Sequence, residues 1–281
     1  NGYAYVVNSS GLQVIDISTP MAPVIMSNTG TPGSAKEVSI ANGYAYVADG
    51  GSGLQVIDIA TPTAPVLVGN VSTPGSALGI SIANGYAYMV NGTGGFLVID
   101  ISTPTVPMIV GSVDTSGEAY DVSVMNGYAY VVNGADGLLV IDISNPTAPV
   151  VVGSVDTPNY AIGVSVVNGY AYVADGNSGL QVIDISIPTA PMIVGSLDIL
   201  GRAHNVSVAN GFAYVAAGGG EGLLVVDIST PSAPVIVDSK FIPYLPSGVS
   251  VMDGYVYVVS ANSRGLQVFS AVAPSPTTWL N

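Results

Sequence analysis

An Asn-Gly dipeptide recurs along this chain at a nearly fixed interval, and that interval limits the possible folds more than any other feature. It stands at Asn1-Gly2, Asn42-Gly43, Asn84-Gly85, Asn126-Gly127, Asn168-Gly169 and Asn210-Gly211, with Asp253-Gly254 as the seventh member. Alternating apolar runs flank each dipeptide, as in Val38-Ser39-Ile40 before and Tyr44-Ala45-Tyr46-Val47 after. Asn-Gly between such runs is a tight hairpin turn, because both residues tolerate positive φ. Repeats of roughly 40–50 residues made of short strands read as propeller blades, each burying its faces only against its neighbours.

Each unit reads as four strands. The first is Val-Ser-Ile or Val-Ser-Val, at Val38, Ile80, Val122, Val164, Val206 and Val249. The second is Tyr-Ala-Tyr-Val-Val or close to it, and its paired tyrosines fall on one face, suited to a half-buried surface between blades. The third is Gly-Leu-Gln-Val-Ile-Asp-Ile or a variant, as at Gly11 to Ile17 and Gly179 to Ile185. A Ser/Ala-Thr-Pro-x-Ala-Pro turn then leads to a fourth, as at Pro149 to Ser154, and Pro beside it marks an edge strand. The sequence therefore predicts an all-β, seven-bladed β-propeller over residues 1–272, with repeats starting near 1, 42, 84, 126, 168, 210 and 253. A Pro/Ser/Thr-rich tail, 273–281, follows.

Seven full units of this length would overrun the chain that is present, and the shortfall falls between the last unit's third strand and the first unit's second. The first blade is thus expected to lack its inner strand and the last its outer one. The tail from Ala271, or a neighbouring chain, is expected to fill at least one gap, since open edges invite pairing.

Composition removes several function classes. Net charge is −14, and the four basic residues are Lys36, Arg202, Lys240 and Arg264. Without a basic stripe to displace counterions, nucleic acid and anionic membrane surfaces are poor partners. The apolar runs, about five to seven residues each, are far short of a spanning helix, and the chain reads as soluble. Cysteine is absent, which excludes disulfides and thiolate chemistry. Scarce lysine with abundant Ser, Thr, Asn, Gly and Tyr suggests an exported protein, and an opening inside a repeat suggests part of a longer product.

Where Gly-Leu-Gln-Val-Ile-Asp-Ile-Ser with Thr-Pro-x-Ala-Pro returns in unit after unit, the chain resembles the LVIVD-repeat family of β-propeller proteins, from Asn1 to about Val272. Six units keep the aspartate, at Asp16, Asp58, Asp100, Asp142, Asp184 and Asp227, while the last has Phe269-Ser270. The resemblance implies an exported or cell-surface protein of bacteria or archaea and supplies no active site.

The six aspartates each precede Ser or Ala and then a proline, so they read as turn-forming carboxylates rather than a catalytic array. The turns after the second strand hold oxygen ligands of the kind calcium takes, at Asp49, Asp136, Asp175 and Asn177, but lack the bidentate Glu and spacing of a calcium loop. Just before the inner strand the units differ: Lys36-Glu37, Leu78-Gly79, Tyr120-Asp121, Ile162-Gly163, His204-Asn205 and Ser247-Gly248. These pairs, with Glu118, Tyr160 and Arg202 nearby, are expected to ring the mouth of the central channel as a binding site, because variable loops on a rigid scaffold carry function. Sequons at Asn8, Asn70, Asn91 and Asn205 are candidate glycan acceptors.

The resulting expectation is a non-catalytic extracellular scaffold or adhesion module, acting through protein–protein contacts with other surface proteins or with itself, up to a layer or fibre. The alternative is a glycan- or calcium-dependent, lectin-like binder on the variable face. A hydrolase or lyase using His204 comes last, for want of a nucleophile elbow. No organic cofactor is expected, and calcium is the one ion considered.

Overall fold

Both residues of the five Asn-Gly turns from Asn42-Gly43 to Asn210-Gly211 take left-handed backbone angles in the computed structural model, which describes residues 2–260 and 265–271. At the second turn φ is 50° for Asn42 and 81° for Gly43, and Asp253 copies the asparagine at 51°. This is the geometry whose twist matches the flanking strands, so each turn sets a hairpin and its register.

Twenty-six strands follow, with no helix among the described residues. Blade 1 holds β1 (Tyr3–Asn8), β2 (Gly11–Asp16) and β3 (Val24–Gly30); blade 2 holds β4 (Glu37–Ala41), β5 (Tyr44–Ala48), β6 (Leu54–Asp58) and β7 (Val66–Val71). Blade 3 is β8 (Gly79–Ala83), β9 (Tyr86–Val90), β10 (Phe96–Asp100) and β11 (Met108–Val113), and blade 4 is β12 (Asp121–Met125), β13 (Tyr128–Val132), β14 (Leu138–Asp142) and β15 (Val150–Val155). Blade 5 is β16 (Gly163–Val167), β17 (Tyr170–Ala174), β18 (Leu180–Asp184) and β19 (Met192–Leu197). Blade 6 is β20 (Ala203–Ala209), β21 (Phe212–Ala217), β22 (Gly222–Asp227) and β23 (Val235–Lys240), and blade 7 is β24 (Pro246–Met252), β25 (Tyr255–Ser260) and β26 (Leu266–Ser270). Every blade is an antiparallel meander, four-stranded except at the two ends.

The register is repeated from blade to blade. In blade 2 Ser39 faces Tyr46, Tyr46 faces Val56, and Val56 faces Gly69. A bulge between Val56 and Ile57 shifts the outer pair, and its equivalent recurs in blades 1 and 3 to 6. Bulges raise the local twist, which suits the outermost strand of a blade.

The core lies between blades rather than inside them. Tyr46, Leu54 and Val56 of blade 2 bury against Ala77, Ile80, Ala87 and Met89 of blade 3, and similar layers follow around the ring. Fully burying one such aliphatic side chain contributes about 1.5–3 kcal/mol, so the ring depends on these layers and not on any single sheet. The expected tyrosine face is present: in blades 2 to 5 the second ring of each pair, Tyr46, Tyr88, Tyr130 and Tyr172, is buried, while the first is half-buried.

Two recurrent contacts lock neighbouring blades. Gly50, Gly92, Gly134 and Gly176 form antiparallel bridges to Ala77, Ala119, Ala161 and Ala203 of the next blade. On the outer strands, a Cβ at Gly69, Gly111, Gly153 or Gly195 would run into the carbonyl oxygen of Pro104, Pro146, Pro188 or Pro231. The proline turns of blades 3 to 6 therefore seat on the preceding outer strands, where glycine leaves room for the carbonyl. Blade 1 has Ser27 at this position, and its hydroxyl donates to the Pro62 carbonyl at 2.7 Å.

Both end blades have three strands, β1 to β3 and β24 to β26, as the shortfall in chain length requires. The two ends still meet: Ile15 and Ile17 of blade 1 pack on Tyr257 of blade 7, joined by Ala4, Val6 and Val268. Among the described residues no strand pairs with the inner edge of β1 or the outer edge of β26. The expected filling of a gap by the tail concerns 272–281, outside the described residues.

Candidate functional site

The inner strands β4, β8, β12, β16, β20 and β24 converge on the channel, and residues at or near their starts explain the alternation seen in the sequence. The Glu37 carboxylate accepts the Ile80 N–H at 2.8 Å, Asp121 Oδ2 accepts the Val164 N–H at 2.9 Å, and Asn205 Oδ1 accepts the Val249 N–H at 3.1 Å. Each polar side chain thus reaches one blade forward, to the N–H that follows a glycine. The glycines in between are required by space: a Cβ on Gly79 would lie 2.8 Å from Asp121 Cα, and one on Gly163 would lie 3.0 Å from Asn205 Cα. Polar residue and glycine alternate because one ties the blades and the other lets the next inner strand close in.

These strands surround a cavity of about 690 Å³. Six of the nine residues expected at the channel mouth line it: Lys36, Glu37, Tyr120, Asp121, His204 and Asn205. Glu118, Tyr160 and Arg202 lie outside that lining. Tyr160 donates to Glu118 Oε2 at 3.1 Å, and its hydroxyl lies 3.0 Å from that of Tyr120, so the first two join the site through a chain of hydroxyls. The two rings meet edge to face with centroids 5.4 Å apart. The remaining lining, including Tyr3, Tyr5, Val7, Leu78, Ile162, Met252 and Tyr257, is mostly apolar and was not singled out by sequence.

The electrostatics separate the two carboxyls. Burial pushes Asp121 up from 3.8 to about 6, against the opposing effect of its bonds from the Val164 and Val122 N–H groups. Burial raises Glu37 well above the usual carboxylate range, and the nearby Asp121 charge raises it further. Asp121 therefore ionises first, and its charge holds the proton on Glu37. The His204 imidazole is pushed down by burial and by Arg202, which keeps it neutral near pH 7. Lys36 is exposed and makes no ion pair among the described residues. A cation, a neutral imidazole and two carboxyls of different acidity thus face one cavity.

The candidate calcium ligands do not converge. Asp49 is buried and accepts the Thr31 hydroxyl at 2.6 Å and the Gly33 N–H at 2.7 Å. Asp175 is likewise buried and bonded to Thr157 at 2.7 Å and the Asn159 N–H at 3.0 Å. Asp136 accepts from Asn133 at 3.1 Å, and Asn177 bonds through its N–H to Asn159. The carboxylates tie each incoming inter-blade loop to the blade it enters. No cluster of three acidic, His or Cys ligands occurs among the described residues.

The four sequons differ in burial. Asn91 is fully enclosed, whereas Asn205 is partly buried, with its Oδ1 accepting the Val249 N–H and its side chain lining the cavity. Asn70 is exposed on β7, and Asn8 is half-buried with its oxygen on the Ser10 N–H. The aspartates after the third strand act as the turn reading expects: Asp16, Asp100, Asp142, Asp184 and Asp227 each accept the N–H two residues on, from serine, and Asp58 that of Ala60.

The family model described as the LVIVD repeat matches residues 1–31, 32–73, 74–115, 116–157, 158–199 and 200–240. A search of curated protein sequences found no match. Among solved structures the chain is similar to the periplasmic gluconolactonase PpgL of Pseudomonas aeruginosa, with a TM-score of 0.83 and 15% identity over 95% of this chain and 92% of that one. It is also similar to a putative 6-phosphogluconolactonase of Bacteroides fragilis, at 0.81 and 9% over 96% and 91%. A third neighbour, a putative 6-phosphogluconolactonase of Bacteroides uniformis, scores 0.81 at 10% identity over 96% and 92%. At such identities the likeness establishes the ring of blades. It also corrects the functional expectation: the same ring carries proteins described as lactonases, so the reading as a non-catalytic scaffold or adhesion module does not stand. The ground for calling the chain a non-enzyme goes with it.

Proposed function

Because the chain belongs to the LVIVD-repeat family of β-propellers, whose fold it shares with lactonase-described proteins, we propose that it is a hydrolase of cyclic or simple carboxylic esters acting at the channel mouth. The observation that carries this reading is the Glu37–Asp121 pair, two carboxyls of separated acidity facing one cavity. Paired titratable groups pushed apart in this way supply an acid and a base at the same pH. Asp121, ionised above about 6, takes a proton from water as the water oxygen adds to the ester carbonyl carbon. Lys36 offers N–H to the oxyanion that forms. The ring C–O bond then breaks, and Glu37 gives its proton to the departing alkoxide. Proton return from Asp121 to Glu37, the weaker acid of the two, resets the pair and leaves a hydroxy acid as product. The cavity of about 690 Å³ lies within the usual range for small-molecule sites. An exported location, expected from composition, agrees with the periplasmic description of the Pseudomonas neighbour.

The test is hydrolysis of gluconolactone and related sugar lactones, followed by proton release above the spontaneous rate. Activity is expected to rise with pH through about 6 as Asp121 ionises and to fall at higher pH as Glu37 loses its proton. Glu37→Gln and Asp121→Asn should each lower kcat by about 10² or more, with KM little changed. Full activity in both variants, or no turnover of any ester by the purified protein, would overturn the proposal.

A further inference from the structure

One repeat position at the start of the inner strands differs in chemistry from blade to blade. It holds Lys36, Leu78, Tyr120, Ile162, His204 and Ser247 in blades 2 to 7, and all six side chains line the channel cavity. In blades 2 to 5 its N–H donates to the last residue of the second strand, Ala48, Val90, Val132 or Ala174, at 2.8 to 3.0 Å. Those four side chains therefore leave the backbone from equivalent points. His204 and Ser247 stand at bulges, which re-aim a side chain. Leu78 and Ile162 offer no hydrogen bond, so polar contact at this collar falls to Lys36, Tyr120, His204 and Ser247.

The hydrogen bonds of Tyr120 have a fixed direction. Tyr160 has one hydroxyl proton and gives it to Glu118 Oε2, so the proton between the two tyrosine oxygens, 3.0 Å apart, comes from Tyr120. With that proton committed, the Tyr120 oxygen is left as an acceptor on a residue that lines the cavity. The Tyr160 ring is held in place by the backbone beneath it: a Cβ on Gly134 would come within 2.9 Å of Tyr160 Cζ. Burial and the bonds with Glu118 and Tyr160 raise Tyr120 above the usual phenol range, so it stays a neutral hydroxyl. We propose that Tyr120 selects the substrate by accepting a hydrogen bond from a hydroxyl on the lactone ring, so that this site takes polyhydroxylated lactones in preference to unsubstituted ones. The neutral His204 imidazole, with one donor and one acceptor, suits a second hydroxyl of the same ring. An unsubstituted ring would leave the Tyr120 acceptor without a donor, and sites built to bond a hydroxyl reject analogues that lack it. The inference rests on the hydrolase reading for turnover, while the Tyr120 contact is one of binding.

The test pairs turnover with binding in the intact protein. The kcat/KM ratio of gluconolactone to δ-valerolactone should be about tenfold or more in the parent. It should fall about tenfold in Tyr120→Phe, which keeps the ring and loses the hydroxyl. Anhydroglucitol, which has the hydroxylated ring without the ester, should bind in a ligand-observed NMR titration, and about tenfold more weakly to the variant. Tetrahydropyran, the bare ring, should not bind. Turnover of both lactones with a ratio that Tyr120→Phe leaves unchanged would overturn the inference and leave the hydrolase reading in place. Anhydroglucitol binding that is absent, or equal in parent and variant, would overturn it as well. Binding weakened in Tyr120→Phe without turnover of any ester would support the contact and overturn the hydrolase reading instead.

Discussion

Asp121→Asn should reverse its effect on stability with pH, and the size of the effect follows from the position of the carboxyl. The group titrates at about 6 when folded against 3.8 ordinarily. At about 1.4 kcal/mol per pH unit, keeping it ionised in the fold costs about 3 kcal/mol at pH 8. The sign follows from proton binding. Between the two values the folded chain holds the proton more tightly than the unfolded chain, so stability from this group is present at low pH and falls as pH rises towards 6. Asparagine removes the charge and the cost, but its single oxygen can accept only one of the Val122 and Val164 N–H groups, which are now bonded at 2.7 and 2.9 Å. That loss costs about 1 kcal/mol. The variant should be more stable than the parent by about 2 kcal/mol at pH 8 and less stable by about 0.5 kcal/mol at pH 4. Relief of Glu37, whose proton Asp121 helps to hold, adds to the gain at high pH. Urea unfolding followed by circular dichroism from pH 4 to 8 measures the difference directly. A difference that does not change with pH would refute the reasoning, as would a parent protein losing ground against the variant on acidification.

Other substitutions test the packing. Tyr130→Ala, at a buried ring between blades 4 and 5, should cost about 3–5 kcal/mol, and Tyr5→Ala, at a partly buried ring in the same pentapeptide, about half as much; equal losses by thermal unfolding would refute the burial argument. Gly111→Ala places a methyl group against the Pro146 carbonyl and should cost about 3 kcal/mol. Gly127→Ala meets no atom within 4 Å but keeps φ at +82°, so about 1 kcal/mol is expected; the opposite order in urea unfolding would refute the seating of the Asn145-Pro146 turn. Asp175→Ala strands the Thr157 hydroxyl and the Asn159 N–H and should lose about 2–3 kcal/mol, with no restoration by added calcium.

The candidate site is partly legible in the sequence. Comparing the repeats with one another marks Lys36, Glu37, Tyr120, Asp121, His204 and Asn205 because they differ where the turns do not, and all six line the cavity. The same comparison shows glycine in every second pair but not why. The reason is a hydrogen bond from one blade to the next and a backbone approach of about 3 Å, neither of which has a signature within a single unit. The oxygen-rich turns mislead for a related reason. Asp49 and Asp175 look free in sequence because their partners Thr31 and Thr157 lie 18 residues earlier, in the loop that arrives from the preceding blade. Asn91 reads as a glycan acceptor locally and is enclosed by its neighbours. The scaffold reading rests on open ends and low charge, features that say nothing about the chemistry of a channel.

By itself the sequence determined what is local and periodic. One Asn-Gly per repeat set the hairpins, the alternation of side chains along each strand set which of them leave either face of the sheet, and the shortfall in chain length set which two strands would be absent. Only the tertiary structure decided what those faces meet. Ring closure brings Glu37 near Asp121, two blades further along the chain, and raises both carboxyls. It also buries one copy of Tyr-Ala-Tyr-Val-Val, in blade 4, more deeply than the copy in blade 1. Burial and charge coupling act through space, between residues that the chain alone keeps far apart, so they exist only once the ring is closed.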